Sequence, residues 1–148
     1  MVKMILGIVA GYIAMSVVLF LLFSGLYLVL GTSGSFNEGS YYVSTTWLLA
    51  GFIIFYVGAA VAGSVSALIG KDPKSAFWMG GVILILGILI AISQIVAAPD
   101  DTTRKLAEVP MMDAMNLAQQ PVWALFVNPI MGFIGALAGG KLVNRKAN

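Results

Sequence analysis

The chain has 148 residues, of which 60% are apolar and only 9% are charged, and its formal net charge is +2. Soluble domains carry about 25% charged residues, and a domain of this size leaves much of its surface in water. The composition therefore excludes an ordinary soluble fold and predicts a protein whose solvent is lipid. The sequence contains no Cys and no His, which excludes disulfides, thiol nucleophiles and imidazole, the commonest metal ligand.

Four apolar segments follow one another along the chain, at about residues 4–30, 46–69, 75–97 and 121–140. Each reaches the ~20 residues that a membrane-spanning helix needs, and none contains an acidic or basic side chain. The first is longer than the ~7 to 15 apolar residues of a secretory signal, so we expect a retained helix. We predict a single all-α domain over 1–148, an antiparallel bundle of four transmembrane helices.

The basic residues divide unequally between the two sides of a four-pass chain. The N-terminus, the turn before the third segment and the C-terminus share one side, with the cations Lys3, Lys71, Lys74, Lys141, Arg145 and Lys146. The other side has only Arg104 and Lys105, among the acidic residues Glu38, Asp100, Asp101, Glu108 and Asp113. Because cytoplasmic loops carry the excess of Lys and Arg, we expect both termini in the cytoplasm of a protein in a bacterial cytoplasmic (inner) membrane.

Two outer loops connect the segments, at residues 31–45 and 98–120. In the second loop, Asp101, Thr102 or Thr103 is expected to cap a helical turn that carries Leu106. Pro110 is expected to begin a short helix with the apolar side chains Met111, Met112, Met115 and Leu117. Such an apolar face predicts a helix that lies flat on the membrane surface.

Helix start signals support the boundaries of the spans. Asp72 and Pro73 suit the N-cap and the first position of the third helix, and Pro121 suits the start of the fourth. The three tryptophans, Trp47, Trp78 and Trp123, all fall near predicted ends of spans, where aromatic side chains prefer to lie.

Small residues recur at steps of three and four in every segment, so each predicted helix has a face of small side chains. In chain order the faces contain Gly7, Gly11 and Ala14; Gly51, Phe55, Ala59, Ala62 and Ser66; Ala76, Gly80, Ile83, Gly87, Ala91 and Gln94; and Ala124, Asn128, Gly132, Gly135 and Gly139. In hydrocarbon, helices associate through close backbone approach at such residues. The faces predict either packing inside the bundle or contact with a partner helix, chiefly through Gly7, Gly11, Gly132, Gly135 and Gly139.

One short sequence is nearly repeated. Residues 58–63 read GAAVAG and residues 135–140 read GALAGG, both at the inner end of a predicted outward-to-inward helix. The pair either marks two repeated helical hairpins or arises by chance, since small residues are frequent in membrane helices.

Three polar side chains inside the spans form a candidate intramembrane cluster: Ser16, Gln94 and Asn128. Asn128 precedes Pro129, which removes a helix hydrogen bond and predicts a bend. Counting at ~1.5 Å per residue places Asn128 near the depth of Ser16, where a hydrogen bond between helices is expected. Gln94 lies nearer the outer end of its helix, and either joins Asn128 in a pocket open to the outside or reaches the headgroups.

No combination of side chains predicts catalysis. The acidic residues of the second outer loop resemble solvated charges and helix caps more than an acid–base pair. Met111, Met112 and Met115 offer thioether ligands for Cu(I), but without His or Cys an apolar interfacial face accounts for them better. The spans also lack the ionisable residue on which proton-coupled antiporters depend. We expect no enzyme activity, no cofactor and no metal.

Two functions fit these features. The first is an accessory or assembly subunit that packs against other membrane helices, or self-associates, through its glycine-lined faces. The alternative is an oligomeric channel or carrier for a small neutral or hydrophobic solute, with Ser16, Gln94 and Asn128 as the polar lining. The expected partners are the lipid bilayer and either another membrane protein or further copies of the chain, with no nucleic acid.

Overall fold

A computed structural model describes residues 1–72, 74–99, 101–105 and 107–145. It contains five helices: α1 (Val2–Ser35), α2 (Thr45–Gly70), α3 (Lys74–Val96), α4 (Met111–Leu117) and α5 (Val122–Arg145). Four of them, α1, α2, α3 and α5, are long and apolar enough to cross a membrane. The described residues form no strand, only isolated β-bridges between loops. The prediction of an all-helical protein with four apolar spans is confirmed at this level.

Some predicted roles fall on residues outside the described part of the chain. These are Pro73 as the first residue of the third helix, Asp100 in the acidic loop, Leu106 on the capped turn and Lys146 in the basic C-terminus.

The first span is longer than predicted, because α1 continues to Ser35 where a loop was expected from residue 31. Gly31 breaks the helix with φ 61° and ψ −171°, a conformation that glycine adopts without a steric penalty. A further helical turn follows this break, and Ser44, at the end of the following loop, holds the end of this turn. The Ser44 hydroxyl donates to the Gly34 carbonyl at 2.6 Å, and the Ser44 N–H donates to the Ser35 carbonyl at 2.8 Å.

Local signals fix the ends of α2 and the start of α3. The Ser44 hydroxyl accepts a hydrogen bond from the Trp47 N–H at 3.1 Å and so caps α2. Lys71 ends α2 in the left-handed conformation, and its N–H donates a hydrogen bond to the Ala67 carbonyl at 3.0 Å. Asp72 accepts from the Lys74 N–H at 2.8 Å, which is the capping role that the sequence predicted for it.

The helices pack in an unequal arrangement around α2, which contacts α1, α3 and α5. α3 also packs along α5, whereas α1 and α5 make no direct helix contact in the described chain. We call the end of the bundle where α1 begins and where α2 and α5 end the base. The opposite end is covered by the described residues of the loops 36–44 and 97–120, which we call the cap.

Close backbone contacts hold the base together. A Cβ atom placed on Gly11 would lie 2.6 Å from the Ala62 carbonyl oxygen of α2, and one on Gly7 would lie 2.7 Å from that of Ser66. The nearly repeated sequences meet in the same way between α2 and α5. A Cβ on Gly63 would overlap the Ala136 carbonyl, and one on Gly139 would overlap the Ala60 carbonyl. Such distances leave room only for glycine, so the small-residue faces bring the backbones of neighbouring helices into contact.

The cap has its own small core and hydrogen-bond network. Its buried apolar residues are Tyr27, Phe36, Val43, Val109 and Ala114. Backbone bonds join the two loops, from the Val43 N–H to the Gln119 carbonyl at 3.0 Å and from the Gln119 N–H to the Tyr41 carbonyl at 2.9 Å. The long loop is therefore an ordered cover over one end of the bundle.

The predicted capped turn near residue 101 does not form in the described chain. Residues 101–105 are non-helical, and Thr103 forms a β-bridge with Ser40 of the other loop. Asp101 caps only a local turn, accepting from the Thr103 N–H at 2.9 Å. The pairing with the first loop replaces the helix, since it satisfies the same backbone groups. The short helix α4 begins directly after Pro110, where the sequence placed it.

Candidate ligand cleft

The cleft lies where α1 and α3 separate. Near the base the two helices meet in one apolar cluster, which includes Met15 of α1 and Met79 and Ile83 of α3. Beyond Met15 no comparable cluster joins α1 to α3 in the described chain, and two adjoining cavities open between them.

The lower chamber has a volume of about 240 Å³. Met15 and Ser16 line it from α1, Ile83 and Gln94 from α3, and Asn128 from α5. All three residues of the sequence-predicted polar cluster, Ser16, Gln94 and Asn128, therefore lie around the same cavity.

The upper chamber has a volume of about 570 Å³ and lies beneath the cap. Its walls are rich in aromatic side chains, namely Phe20, Phe23, Tyr27, Phe36, Trp47 and Phe55. Its roof comes from α4 and the residues after it, which add the polar side chains Asn116, Gln119 and Gln120. The aromatic walls are packed against one another, with the Phe23 and Trp47 ring centroids 5.6 Å apart. The chamber therefore has packed aromatic walls and a roof that combines amide side chains with apolar ones such as Met111 and Met115.

The two chambers adjoin each other and together make up the cleft, since four residues line both of them: Leu19, Phe55, Gln94 and Gln120. The cleft opens sideways between α1 and α3. Its lining residues on both flanks are exposed, such as Tyr12 and Phe20 on α1 and Leu86 and Ile90 on α3. In a membrane this opening faces the acyl chains of the surrounding lipid.

Hydrogen bonds inside the cleft differ from the predicted one. Asn128 donates to the Gln120 side-chain carbonyl at 3.0 Å, and the Ser16 hydroxyl donates to the Tyr12 carbonyl of its own helix at 3.0 Å. Gln120 is therefore a partner that the sequence reasoning missed. Gln120 precedes α5, and eight residues of a helix span about 12 Å, so no sequence pattern predicted this contact.

Ser35 contributes an unsatisfied hydroxyl to the upper chamber. The residue is 1% exposed and lines the chamber, yet its Oγ has no hydrogen-bond partner among the described residues. A buried hydroxyl without a partner is costly, so most such groups in proteins are hydrogen-bonded. Nothing in the sequence distinguishes Ser35 from the other serines of its loop, because its burial depends on the fold of the cap.

No acidic or basic side chain lines either chamber within the described chain. The charged groups of the cap lie outside the cleft, and Asp101, Glu108 and Asp113 are exposed. Hydrogen bonds from the Thr103 side chain and backbone, followed by the charge of Lys105, hold the pKa of the Asp101 carboxyl below its ordinary value of 3.8. The cleft itself offers only neutral hydrogen-bonding groups and apolar surface.

The methionines of α4 divide between the cleft and its surroundings. Met111 and Met115 line the upper chamber, whereas Met112 is 60% exposed. The described residues contain no group of three His, Cys, Asp or Glu side chains that could hold a metal ion.

The five glycines predicted as contact residues lie between helices of this chain. Gly7, Gly11, Gly135 and Gly139 face the backbone of α2, and Gly132 faces the Ile83 side chain of α3. A partner helix would have to displace α2 or α3 to use them.

The fold defines a multi-pass membrane protein with a cleft in one half of its helix bundle. Comparison with protein-family models, with curated proteins and with solved structures finds no match to this chain.

Proposed function

We propose that this membrane protein is non-catalytic and binds a small, uncharged, largely apolar solute in the cleft between α1 and α3. The observation that carries this proposal is the adjoining pair of chambers, with apolar walls and a few neutral polar groups. Ligand sites typically enclose about 300–1,000 Å³ and combine apolar walls with a small number of oriented polar groups. An upper chamber of about 570 Å³ falls in this range.

The proposed orientation places the cap outside the cell and both termini in the cytoplasm. Lys3, Lys71, Lys74 and Lys141 all lie at or beyond the base ends of the helices, and the positive-inside rule supports this arrangement. The cleft then opens in the outer half of a cytoplasmic membrane, and α4 lies at the outer surface.

The lining supports a solute-binding protein over an open channel. At the base side of the lower chamber, Met15 and Ile83 belong to the same packed cluster as Ala62 and Ala136. Below this cluster the glycine contacts bring the helices together at backbone distance. A solute bound in the cleft would therefore be released to the side from which it came, unless the base opened.

A pair of neighbouring variants tests the proposed function. Gln94 is shared by both chambers, whereas Ser93 beside it is exposed and lines neither. We expect Gln94→Trp to fill the junction of the chambers and Ser93→Trp to add the same bulk toward lipid. Naphthalene, a compact apolar probe, should raise the Tm of the amphipol-solubilised wild type and of Ser93→Trp, but not that of Gln94→Trp. Equal shifts in all three proteins would refute a binding site in the cleft.

A second candidate function, self-association, is favoured by the position of α1 at the edge of the bundle. Only 17% of the most apolar window of α1 is buried, compared with 44% for α5. The contact would use the exposed side of α1, since Gly7 and Gly11 face α2. The described chain contains no native cysteine, so single cysteines can report this contact. Thiol crosslinking in native membranes should give a dimer with Ile13→Cys on α1 and none with the similarly exposed Ile130→Cys on α5; equal yields would exclude a specific interface.

A further inference from the structure

The shape of the cleft restricts the ligand to an elongated molecule. Along α1 its lining runs from Tyr12 to Tyr27, about 22 Å at the helical rise of ~1.5 Å per residue. This length exceeds half of the ~30 Å hydrocarbon core, so the cleft follows the direction of the lipid chains through most of one leaflet. A compact solute would fill only one of the chambers.

The two ends of the cleft differ in the hydrogen bonding of their polar groups. At the base end, apolar side chains such as Met15 and Ile83 lie beside Ser16 and Asn128, which already donate to the Tyr12 carbonyl and to Gln120. The cap end holds the amides of Asn116, Gln119 and Gln120 and the buried hydroxyl of Ser35. An amphipathic molecule fits this difference with its chain toward the base and its polar end beneath the cap, where the Ser35 hydroxyl has no partner among the described residues.

The polar end of the ligand must be uncharged. The described lining has no cation that could neutralise an anionic headgroup and no carboxylate that could accept a cationic one. Burying an ion without a counter-charge is far more costly than burying a hydroxyl or a carbonyl group. The Ser35 hydroxyl can donate to or accept from such a neutral group, which would supply the hydrogen bond that it lacks in the described structure.

We propose that the cleft binds an uncharged single-chain lipid, whose hydroxyl or carbonyl end hydrogen-bonds to Ser35 and whose chain lies between α1 and α3. This inference rests on the proposed function, because it specifies the ligand class of the same cleft. The lateral opening between Phe20 and Ile90 is the route by which the lipid arrives from the outer leaflet.

Ser35 and Ser75 provide a matched pair of variants. Both are buried, at 1% and 0% exposure, and the Oγ atom of each has no hydrogen-bond partner in the described chain. Only Ser35 lines the cleft, since Ser75 lies at the base beside Gly70. Removing an unsatisfied hydroxyl relieves a desolvation penalty, so Ser35→Ala and Ser75→Ala should both raise the Tm of the ligand-free protein. A merely structural role would give the two variants the same behaviour toward every probe.

The experiment measures the apparent Kd from the dependence of Tm on probe concentration, in amphipol, for hexadecanol, hexadecanoate at pH 8 and naphthalene. Hexadecanol should bind the wild type more tightly than hexadecanoate by at least tenfold. Ser35→Ala should raise the apparent Kd for hexadecanol by about two- to tenfold, which corresponds to the loss of one neutral hydrogen bond. Ser75→Ala should leave this Kd unchanged. Naphthalene, which has no polar end, should bind all three proteins equally.

The outcomes separate this inference from the proposed function. If naphthalene binds the wild type but not Gln94→Trp, and hexadecanol does not bind, the lipid proposal is overturned while the proposed solute site in the cleft stands. Equal affinity for hexadecanoate, or an unchanged hexadecanol Kd in Ser35→Ala, would also overturn it. If neither naphthalene nor hexadecanol gives a shift that depends on Gln94, both proposals fail.

Discussion

The base and cap halves of the bundle use opposite ways of bringing four helices together. In the base, glycines and alanines of α1, α2 and α5 place backbone against backbone, and the core residues Ala59, Ala62 and Ala136 are fully buried. In the cap half, large aromatic side chains such as Phe23, Trp47 and Phe55 lie between the helices. Backbones that touch leave no cavity, whereas helices held apart by large side chains do.

This difference shows how a short membrane protein can combine stability with a binding site. Without a hydrophobic driving force between helices, association depends on packing and on hydrogen bonds. The base supplies the packing through its small-residue faces. The cap supplies hydrogen bonds between ordered loops, and the cleft lies between these two stabilised regions.

The largest expected effect comes from adding one methyl group to the base. Gly139→Ala would place a Cβ atom against the Ala60 carbonyl of α2, inside the 3.0 Å that real Cβ atoms keep. The helices must move apart, and overpacking of this kind typically costs about 1–3 kcal/mol. We expect the free energy of unfolding, measured by SDS titration in mixed micelles, to fall by that amount despite the better helix propensity of alanine.

Gly81→Ala is the matched control, since a Cβ atom there meets nothing within 4 Å. Alanine exceeds glycine in helix propensity by about 0.5–1 kcal/mol, so this variant should be neutral or slightly stabilised. A similar loss in both variants would show that backbone contact does not hold the base together.

The next largest effect concerns the attachment of the cap. The Tyr27 hydroxyl of α1 donates to the Val109 carbonyl, and the Thr32 hydroxyl accepts from the Val109 N–H at 3.0 Å. Tyr27→Phe leaves a buried carbonyl without its donor, which costs about 1–3 kcal/mol. Hydrogen exchange should accelerate at the backbone amides of Val109 and Ala114, while the amides of the base stay protected. Tyr42→Phe, at an exposed site, should change neither.

The sequence predicts most of the base and little of the cap. Helices and their glycine faces follow from local periodicity, so the packing of Gly7, Gly11 and Gly139 could be anticipated, although the choice between α2 and a partner helix could not. The cap depends on long-range pairing, such as that of Ser40 with Thr103, which no local pattern encodes. For this reason the sequence suggested a capped turn at residue 101 that the pairing replaces, and it missed the burial of Ser35.

The sequence predicts the cleft better than it predicts the cap but less well than the base. Ser16, Gln94 and Asn128 stand out because polar residues are rare in spans, and the helical rise places Ser16 and Asn128 at one depth but Gln94 nearer the outer end. Their function as a site stays a prediction. Gln120 lies outside the predicted apolar segment, so its bond with Asn128 required the structure.

A smaller effect tests the polar contact inside the cleft. Asn128→Leu removes the side-chain hydrogen bond to Gln120, and a neutral intramolecular hydrogen bond typically contributes about 0.5–1.5 kcal/mol to stability. Ser16→Ala removes only a bond to the carbonyl of Tyr12 in the same helix and should be nearly neutral. A double variant Asn128→Leu, Gln120→Leu that is no less stable than Asn128→Leu alone would assign the loss to this pair. Equal losses in Asn128→Leu and Ser16→Ala would contradict a specific contact.

The smallest expected effect is a pH dependence confined to the cap. Hydrogen bonds from Thr103, and then the charge of Lys105, lower the folded-state pKa of Asp101 below 3.8. A lowered folded-state pKa means that the carboxylate stabilises the cap above the unfolded pKa, and that this contribution is lost as the pH falls through the folded value. Below pH 3.8 we expect the Thr103 amide to become less protected, relative to its intrinsic exchange rate, while the base is unchanged. Asp101→Asn should remove this dependence, and its persistence in that variant would assign it to another group.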